Sequence, residues 1–167
     1  MLKEIGVPYG IRGDADYSFY EICKRILNKE KVDLDIPGVV IYRNDEITCS
    51  ESAYIRDINK LPIPAFNLLP IEDYYSASTN KRYLMIFTTR GCPYDCYFCA
   101  STAQMKYRYL TVENTITQLK WLVNDLKVEW IEFMDLTFTV SLKRTKELCE
   151  AIIAENLEFE WGCETRA

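Results

Sequence analysis

The sequence predicts an α/β protein: an incomplete parallel (β/α) barrel of the TIM type, preceded by a small α/β segment. From residue 81 onwards, apolar strands alternate with amphipathic helices in the order β-α-β-α-β, which is typical of right-handed βα units in a parallel sheet or barrel. Residues 1–49 show one helical stripe and a hairpin pattern instead. Because three βα units do not close a barrel, we expect the chain to be a fragment of a longer one.

The first predicted domain, residues 1–49, contains one helix and one β-hairpin. After Gly13, apolar side chains recur at i, i+3, i+4, i+7 and i+8 and form a single helical stripe of Phe19, Ile22, Cys23, Ile26 and Leu27. We expect Asp14 or Asp16 to cap the N-terminus of this helix. Asn44-Asp45 separates the apolar residues 39–42 from residues 47–49, which predicts a hairpin turn.

Residues 50–80 form a predicted connector with three prolines and little periodicity. We interpret this segment as an extended strap that docks on the following domain through Leu61, Ile63, Phe66, Leu68 and Leu69. A solvated surface linker is the alternative interpretation.

The third predicted domain, residues 81–167, supplies the half-barrel. The near-continuous apolar run 83–88 suits a buried parallel strand. A helix over residues 111–126, a strand over 130–134, a helix capped by Ser141 and a strand over 157–163 complete the βα pattern.

The composition excludes several classes of protein. Hydrophobic residues make up 49% of the chain, which argues against disorder, and a net charge of −5 gives no support to nucleic-acid binding. No run approaches the ~20 apolar residues of a membrane span, and the N-terminus lacks a signal-peptide core. Seven cysteines without an export signal indicate a reducing cytoplasm, and the absence of histidine excludes Cys2His2 zinc sites and Ser-His-Asp triads.

Three cysteines carry the chemistry of this chain. Cys92, Cys96 and Cys99 follow the first barrel strand with the spacing C-x3-C-x2-C. Three thiolates on one loop can hold three corners of a [4Fe–4S] cube and leave one iron open for a substrate or cofactor. The alternative is a structural zinc site with a fourth thiolate from elsewhere, although zinc sites favour paired C-x2-C units.

The sequence around the cysteines resembles that of the radical S-adenosylmethionine (radical SAM) enzymes. The cysteine spacing, Arg90-Gly91 before the first cysteine and Phe98 before the last carry this resemblance. Five flanking stretches are similar to the branch that often has an N-terminal cobalamin-binding domain: Arg12-Gly13-Asp14, Leu61-Pro62-Ile63-Pro64-Ala65, Tyr107-Arg108, Phe133-Met134-Asp135 and Thr165-Arg166. The resemblance implies that residues 1–49 are the end of a cobalamin-binding, Rossmann-like domain and that the barrel is the first half of a radical SAM core.

The resemblance also implies roles for individual residues. Cys92, Cys96 and Cys99 would ligate the cluster, and the amino and carboxylate groups of SAM would chelate the fourth iron. Phe98 would lie beside the adenine, and Asp135 would occupy the Gly-Gly-Glu region that binds the SAM amino group. Glu164 and Arg166 end the third strand, where the Arg166 guanidinium is suited to grip the SAM carboxylate.

By this resemblance the protein is an enzyme that cleaves SAM reductively to a 5'-deoxyadenosyl radical, with cobalamin-dependent methyl transfer as the expected reaction. We expect a small-molecule substrate, an electron donor such as flavodoxin or ferredoxin, and no turnover by the truncated chain alone. A methylthiotransferase is disfavoured because only Cys23 and Cys49 precede the cysteine triplet. A non-catalytic metal-binding fragment with a structural zinc is the third hypothesis.

Overall fold

The computed structural model describes Glu4, residues 6–99 and residues 106–166. The chain forms two compact units, Met1–Arg56 and Asp57–Ala167. The division falls inside the predicted connector, so residues 50–80 contribute to both units. The three predicted domain ranges stay a prediction. In the described part of the chain, no helix has the length and apolar character needed to cross a membrane.

Between residues 6 and 56, the first unit forms a three-stranded antiparallel sheet and one helix. Its elements are β1 (Tyr9–Ile11), α1 (Asp16–Leu27), β2 (Val39–Arg43) and β3 (Glu46–Cys49), and the strand order is β1-β2-β3. The predicted hairpin is confirmed, and both turn residues, Asn44 and Asp45, have positive φ as a two-residue hairpin turn requires. Strand β1 was not predicted, because three residues are too short to show a period.

Helix α1 is confirmed, but its predicted cap is wrong and its predicted apolar face is buried only in part. The helix follows Ala15 without a side-chain cap, and the Asp14 carboxylate instead accepts a hydrogen bond from the Ile55 amide at 2.7 Å. Ile22 is the buried member of the predicted stripe, whereas Phe19 is 62% exposed. The helix packs through Ser18 and Ile22, one turn apart, and the Ser18 hydroxyl donates to the Pro37 carbonyl.

The second unit contains the predicted half-barrel. Its elements are β4 (Tyr83–Ile86), β5 (Thr89–Arg90), β6 (Arg108–Tyr109), α2 (Val112–Lys120), β7 (Trp130–Phe133), α3 (Leu142–Ala154) and β8 (Glu160–Cys163). Strands β4, β7 and β8 pair in parallel in that order, with β7 in the centre. Strands β5 and β6 form a separate antiparallel pair that was not predicted. The predicted fold class is confirmed.

The two barrel helices start close to their predicted positions. Thr111 caps α2 by accepting a hydrogen bond from the Asn114 amide, and the helix continues through a wider, π-helical turn at Trp121–Asp125. Ser141 caps α3 as predicted, because its hydroxyl accepts from the Arg144 amide.

The helices cover one face of the parallel sheet. The buried side chains of this core include Leu84, Ile86, Ile131, Phe133, Leu119, Leu122 and Leu148. Met85 and Phe87, which alternate with these along the first strand, are 51% and 61% exposed. The face that carries them is the one that a closed barrel turns inward.

Three short 3-10 turns follow the start of the second unit, at Ile58–Lys60, Phe66–Leu68 and Ile71–Asp73. Ile58 and Ile71 are the buried side chains in these turns. Of the five predicted docking residues, Phe66 packs against the core, with its ring 6.2 Å from that of Trp121, whereas Leu68 is 79% exposed. The strap is therefore docked, but mainly through residues that the sequence did not single out.

Candidate functional site

The cysteine loop begins directly after β5. Cys92, Cys96 and Cys99 are half-buried and form no disulfide, and the Cys99 amide donates to the Cys96 carbonyl at 2.9 Å in a tight turn. Gly91, with φ of 75°, lets the chain turn out of the strand. Within residues 6–99 and 106–166, no three His, Cys, Asp or Glu side chains are arranged to hold a metal ion. The structure thus places the three thiols on one loop without assembling their sulfurs around a common point.

The groups beside this loop fit a bound cofactor that brings hydrogen-bond acceptors. Within the described part of the chain, the Thr89 hydroxyl on β5 and the Tyr107 hydroxyl next to β6 are buried without a hydrogen-bond partner. Buried hydroxyls of this kind are rare because a lost hydrogen bond to water costs free energy. Burial also raises the pKa of Tyr107, so its phenol stays a hydrogen-bond donor. Thiols that can become thiolates and hydroxyls that can donate hydrogen bonds are the kinds of group that an iron–sulfur cluster takes as ligands and neighbours.

Asp135 anchors the chain just before the cysteine loop. Its side chain is 1% exposed and lies two residues beyond the end of β7. One carboxylate oxygen accepts the amides of Thr88 and Thr89 at 2.7 and 2.8 Å, and the other accepts the Thr88 hydroxyl. These bonds fix the bend between β4 and β5. The contact of Asp135 with the SAM amino group stays a prediction.

Thr137 is a neighbour of the cysteine loop that the sequence did not reveal. Its hydroxyl oxygen lies 3.6 Å from the Cys92 sulfur, and the residue is 5% exposed. Because Asp135 and Thr137 both follow β7, the segment after this central strand contacts both the entry to the cysteine loop and its first cysteine. The sequence signal that was available is the position of this segment at the carboxyl end of a parallel strand, where barrel sites form.

A buried guanidinium lies on the same side of the unit. Arg144 is 6% exposed, donates from Nε to the Leu110 carbonyl at 3.0 Å and packs over the Tyr109 ring at 5.6 Å. Burial lowers the pKa of Arg144, while the nearby Tyr107 and Asp135 act in the opposite direction. This places a buried positive charge near the Asp135 carboxylate.

Arg166, which follows β8, contacts the cysteine loop. The Arg166 guanidinium stacks over the Tyr94 ring, 4.3 Å from its centroid, which is a cation–π contact. Glu164 accepts a hydrogen bond from the Phe138 amide through its backbone carbonyl, and its side chain is exposed. Phe98 is 90% exposed. Of the predicted SAM-binding residues, Arg166 is therefore in contact with the loop. The roles of Arg166, Phe98 and Glu164 in SAM binding stay predictions.

The inner face of the sheet carries a carboxylate in a fixed position. Glu132 accepts a hydrogen bond from the Trp130 indole at 3.3 Å. A Cβ at Gly162 on the adjacent strand would lie 2.5 Å from this carboxylate, so the missing side chain makes room for it. This face thus offers a polar group among the exposed side chains of Met85 and Phe87.

Cys163 is poorly suited to complete a zinc site with the loop cysteines. Its side chain packs against the apolar core, and burial raises the pKa of the thiol. A protonated thiol in an apolar environment is a poor metal ligand.

The chain is similar to known enzymes over nearly its whole length. No protein-family model matches it. It is 30% identical over 159 residues to an uncharacterized methyltransferase of Pyrococcus horikoshii, covering 93% of this chain and 34% of that protein. It is 27% identical over 162 residues to the anaerobic magnesium-protoporphyrin IX monomethyl ester cyclase of Cereibacter sphaeroides, covering 93% of this chain and 26% of the cyclase.

Two solved structures share the fold. The cobalamin-dependent S-adenosylmethionine radical enzyme OxsB superposes with a TM-score of 0.72 at 21% identity, over 95% of this chain and 23% of OxsB. The radical S-adenosylmethionine methyltransferase TsrM of Kitasatospora setae, solved with cobalamin and a [4Fe–4S] cluster, gives a TM-score of 0.67 at 17% identity, over 93% of this chain and 31% of TsrM. The chain thus spans between 23% and 34% of the length of these four proteins. The predicted resemblance is confirmed at the level of the fold: the chain has the fold of one part of OxsB and TsrM, which are named as radical S-adenosylmethionine enzymes.

Proposed function

We propose that this chain is the cluster-binding part of a radical SAM enzyme. The observation that carries the proposal is the place of the C-x3-C-x2-C loop, which leaves the carboxyl end of the first strand of a parallel half-barrel with the fold of OxsB and TsrM. When bound, the [4Fe–4S] cluster supplies the electron that cleaves SAM to a 5'-deoxyadenosyl radical. The protein's task is to hold and orient both cofactors.

Different residues of the chain hold the cluster and SAM. Cys92, Cys96 and Cys99 ligate three irons as thiolates. Asp135 fixes the strand bend from which the loop departs. Arg166, held against the loop by its contact with Tyr94, is in a position to pair with the carboxylate of SAM.

In this proposal, Phe98, Asp135 and Glu164 also contact SAM, and Asp135 contacts its amino group. Phe98 is an exposed aromatic ring on the cluster loop and is suited to cover an adenine. Glu164 follows β8 at the carboxyl end of the sheet and offers a carboxylate for a hydroxyl or amino group of SAM.

The reaction that we propose is methyl transfer to a small molecule. Cobalamin would be held by a segment outside this chain. Two of the four relatives described above are named methyltransferases, and OxsB is named a cobalamin-dependent enzyme. The similarity to a cyclase supports a second candidate, in which the radical drives ring formation instead of methylation. Glu132, on the inner face of the sheet, is the group we assign to substrate contact. A flavodoxin or ferredoxin supplies the electron in either case.

The test is the electron paramagnetic resonance (EPR) spectrum of the reduced, anaerobically reconstituted protein with and without SAM. We expect a [4Fe–4S] signal whose g values change when SAM is added, because its amino and carboxylate groups bind the open iron. The matched control is 5'-methylthioadenosine, which lacks both groups and should leave the signal unchanged. A cluster signal that is the same with SAM as without it would contradict the proposal.

A further inference from the structure

We infer that Thr137 donates a hydrogen bond to the sulfur of Cys92 when that sulfur ligates iron, and that this bond raises the reduction potential of the cluster. The inference rests on the proposed function, because it requires Cys92 to be a cluster ligand. It assigns Thr137 a positioning and tuning role.

Thr137 and Cys92 are in contact in this structure. Thr137 Oγ1 lies 3.6 Å from Cys92 Sγ, a normal length for a hydrogen bond to sulfur, and 2.6 Å from the Leu136 carbonyl oxygen. A hydroxyl has one proton to donate. The Thr137 proton can go to the Leu136 carbonyl or to the Cys92 sulfur, and either atom of the Thr137–Cys92 pair can be the donor.

Iron binding leaves only one possible direction for this contact. A cysteine sulfur that ligates iron is a thiolate and has no proton. The sulfur and the hydroxyl oxygen would then face each other as two acceptors unless the Thr137 proton turns towards the sulfur. That rotation gives up one bond to a neutral carbonyl for a bond to a charged sulfur, and bonds to charged groups are the stronger ones.

The hydroxyl is held in place and shielded from water. Thr137 is 5% exposed, and the segment is fixed on both sides: Asp135 binds the bend before β5, and the Phe138 amide donates to the Glu164 carbonyl at 2.9 Å. A hydrogen bond that does not compete with water has its full electrostatic effect. Because the donor's positive end faces the sulfur, it stabilises the more negative, reduced cluster and raises the reduction potential.

The experiment compares midpoint potentials of the reconstituted protein by EPR-monitored redox titration. Thr137→Val removes the hydroxyl and keeps the shape, so we expect a more negative midpoint potential. Thr137→Ser keeps the hydroxyl and should retain the wild-type potential. Thr139→Val is the matched control, because the Thr139 hydroxyl pairs with Thr165 and not with a cysteine; its potential should equal that of the wild type.

A second hydroxyl-free variant keeps the inference testable if valine disturbs assembly of the cluster. Thr137→Ala should give the same negative displacement as Thr137→Val. Hydroxyl-free variants whose midpoint potential equals that of Thr139→Val would overturn the inference while the proposed function stands. A wild-type protein that assembles no [4Fe–4S] cluster would instead overturn the proposed function itself.

Discussion

Replacing Cys96 with alanine is expected to abolish assembly of the [4Fe–4S] cluster and to leave the helical content of the protein near that of the wild type. The cube needs three protein thiolates, and Cys92 and Cys99 alone supply two. Cys96 is half-buried in a loop outside the helices and strands, so its loss should not disturb the sheet. Iron content after anaerobic reconstitution and the far-ultraviolet circular dichroism spectrum measure the two effects.

The control for this variant is Cys49→Ala. Cys49 is an exposed, free thiol at the end of β3 in the first unit. Its replacement should leave the iron content at the wild-type value, which separates loss of a ligand from loss of any thiol. If Cys96→Ala still holds about four irons per chain, the assignment of the cluster ligands fails.

Replacing Asp135 with alanine is expected to lower the free energy of unfolding of the second unit by about 3 kcal/mol. The change leaves three buried donors without an acceptor: the amides of Thr88 and Thr89 and the Thr88 hydroxyl. The bend between β4 and β5 then loses its anchor, so we also expect less iron to be incorporated. Urea unfolding followed by circular dichroism measures the first effect.

Two further variants sharpen this prediction. Asp135→Asn should lose less stability than Asp135→Ala, because its amide oxygen can still accept the two backbone amides while its NH2 group donates to the Thr88 hydroxyl. Asp73→Ala, an exposed aspartate in the same unit, should change the unfolding free energy by less than about 0.5 kcal/mol. Equal urea midpoints for Asp135→Ala and Asp73→Ala would show that the Asp135 hydrogen bonds do not support the fold.

The sequence predicted the longer elements because their periodicity extends over several turns or residues. The apolar run that contains Leu84 and Ile86 identified the first barrel strand, and Ser141 identified the start of α3. Strands β1, β5 and β6 have two or three residues each, and such short strands exist only through their partners. Helix α1 shows the same limit: its period was visible, but the face that packs is determined by the sheet.

The candidate site was predictable where its chemistry is local in the sequence. The spacing of three cysteines within eight residues is enough to predict a metal site. The contacts that support them join distant parts of the chain: Asp135 and Thr88 are 47 residues apart, and Thr137 and Cys92 are 45 apart. Such pairs follow from the packing of β7 against β4, which a hydrophobic pattern does not specify at the level of single side chains.

The central claim is tested most directly by the iron, sulfide and zinc content of the protein after anaerobic reconstitution with all three supplied. The account predicts about four irons and four sulfides per chain and no bound zinc. Zinc bound without sulfide would contradict it and favour a structural metal site in the cysteine loop.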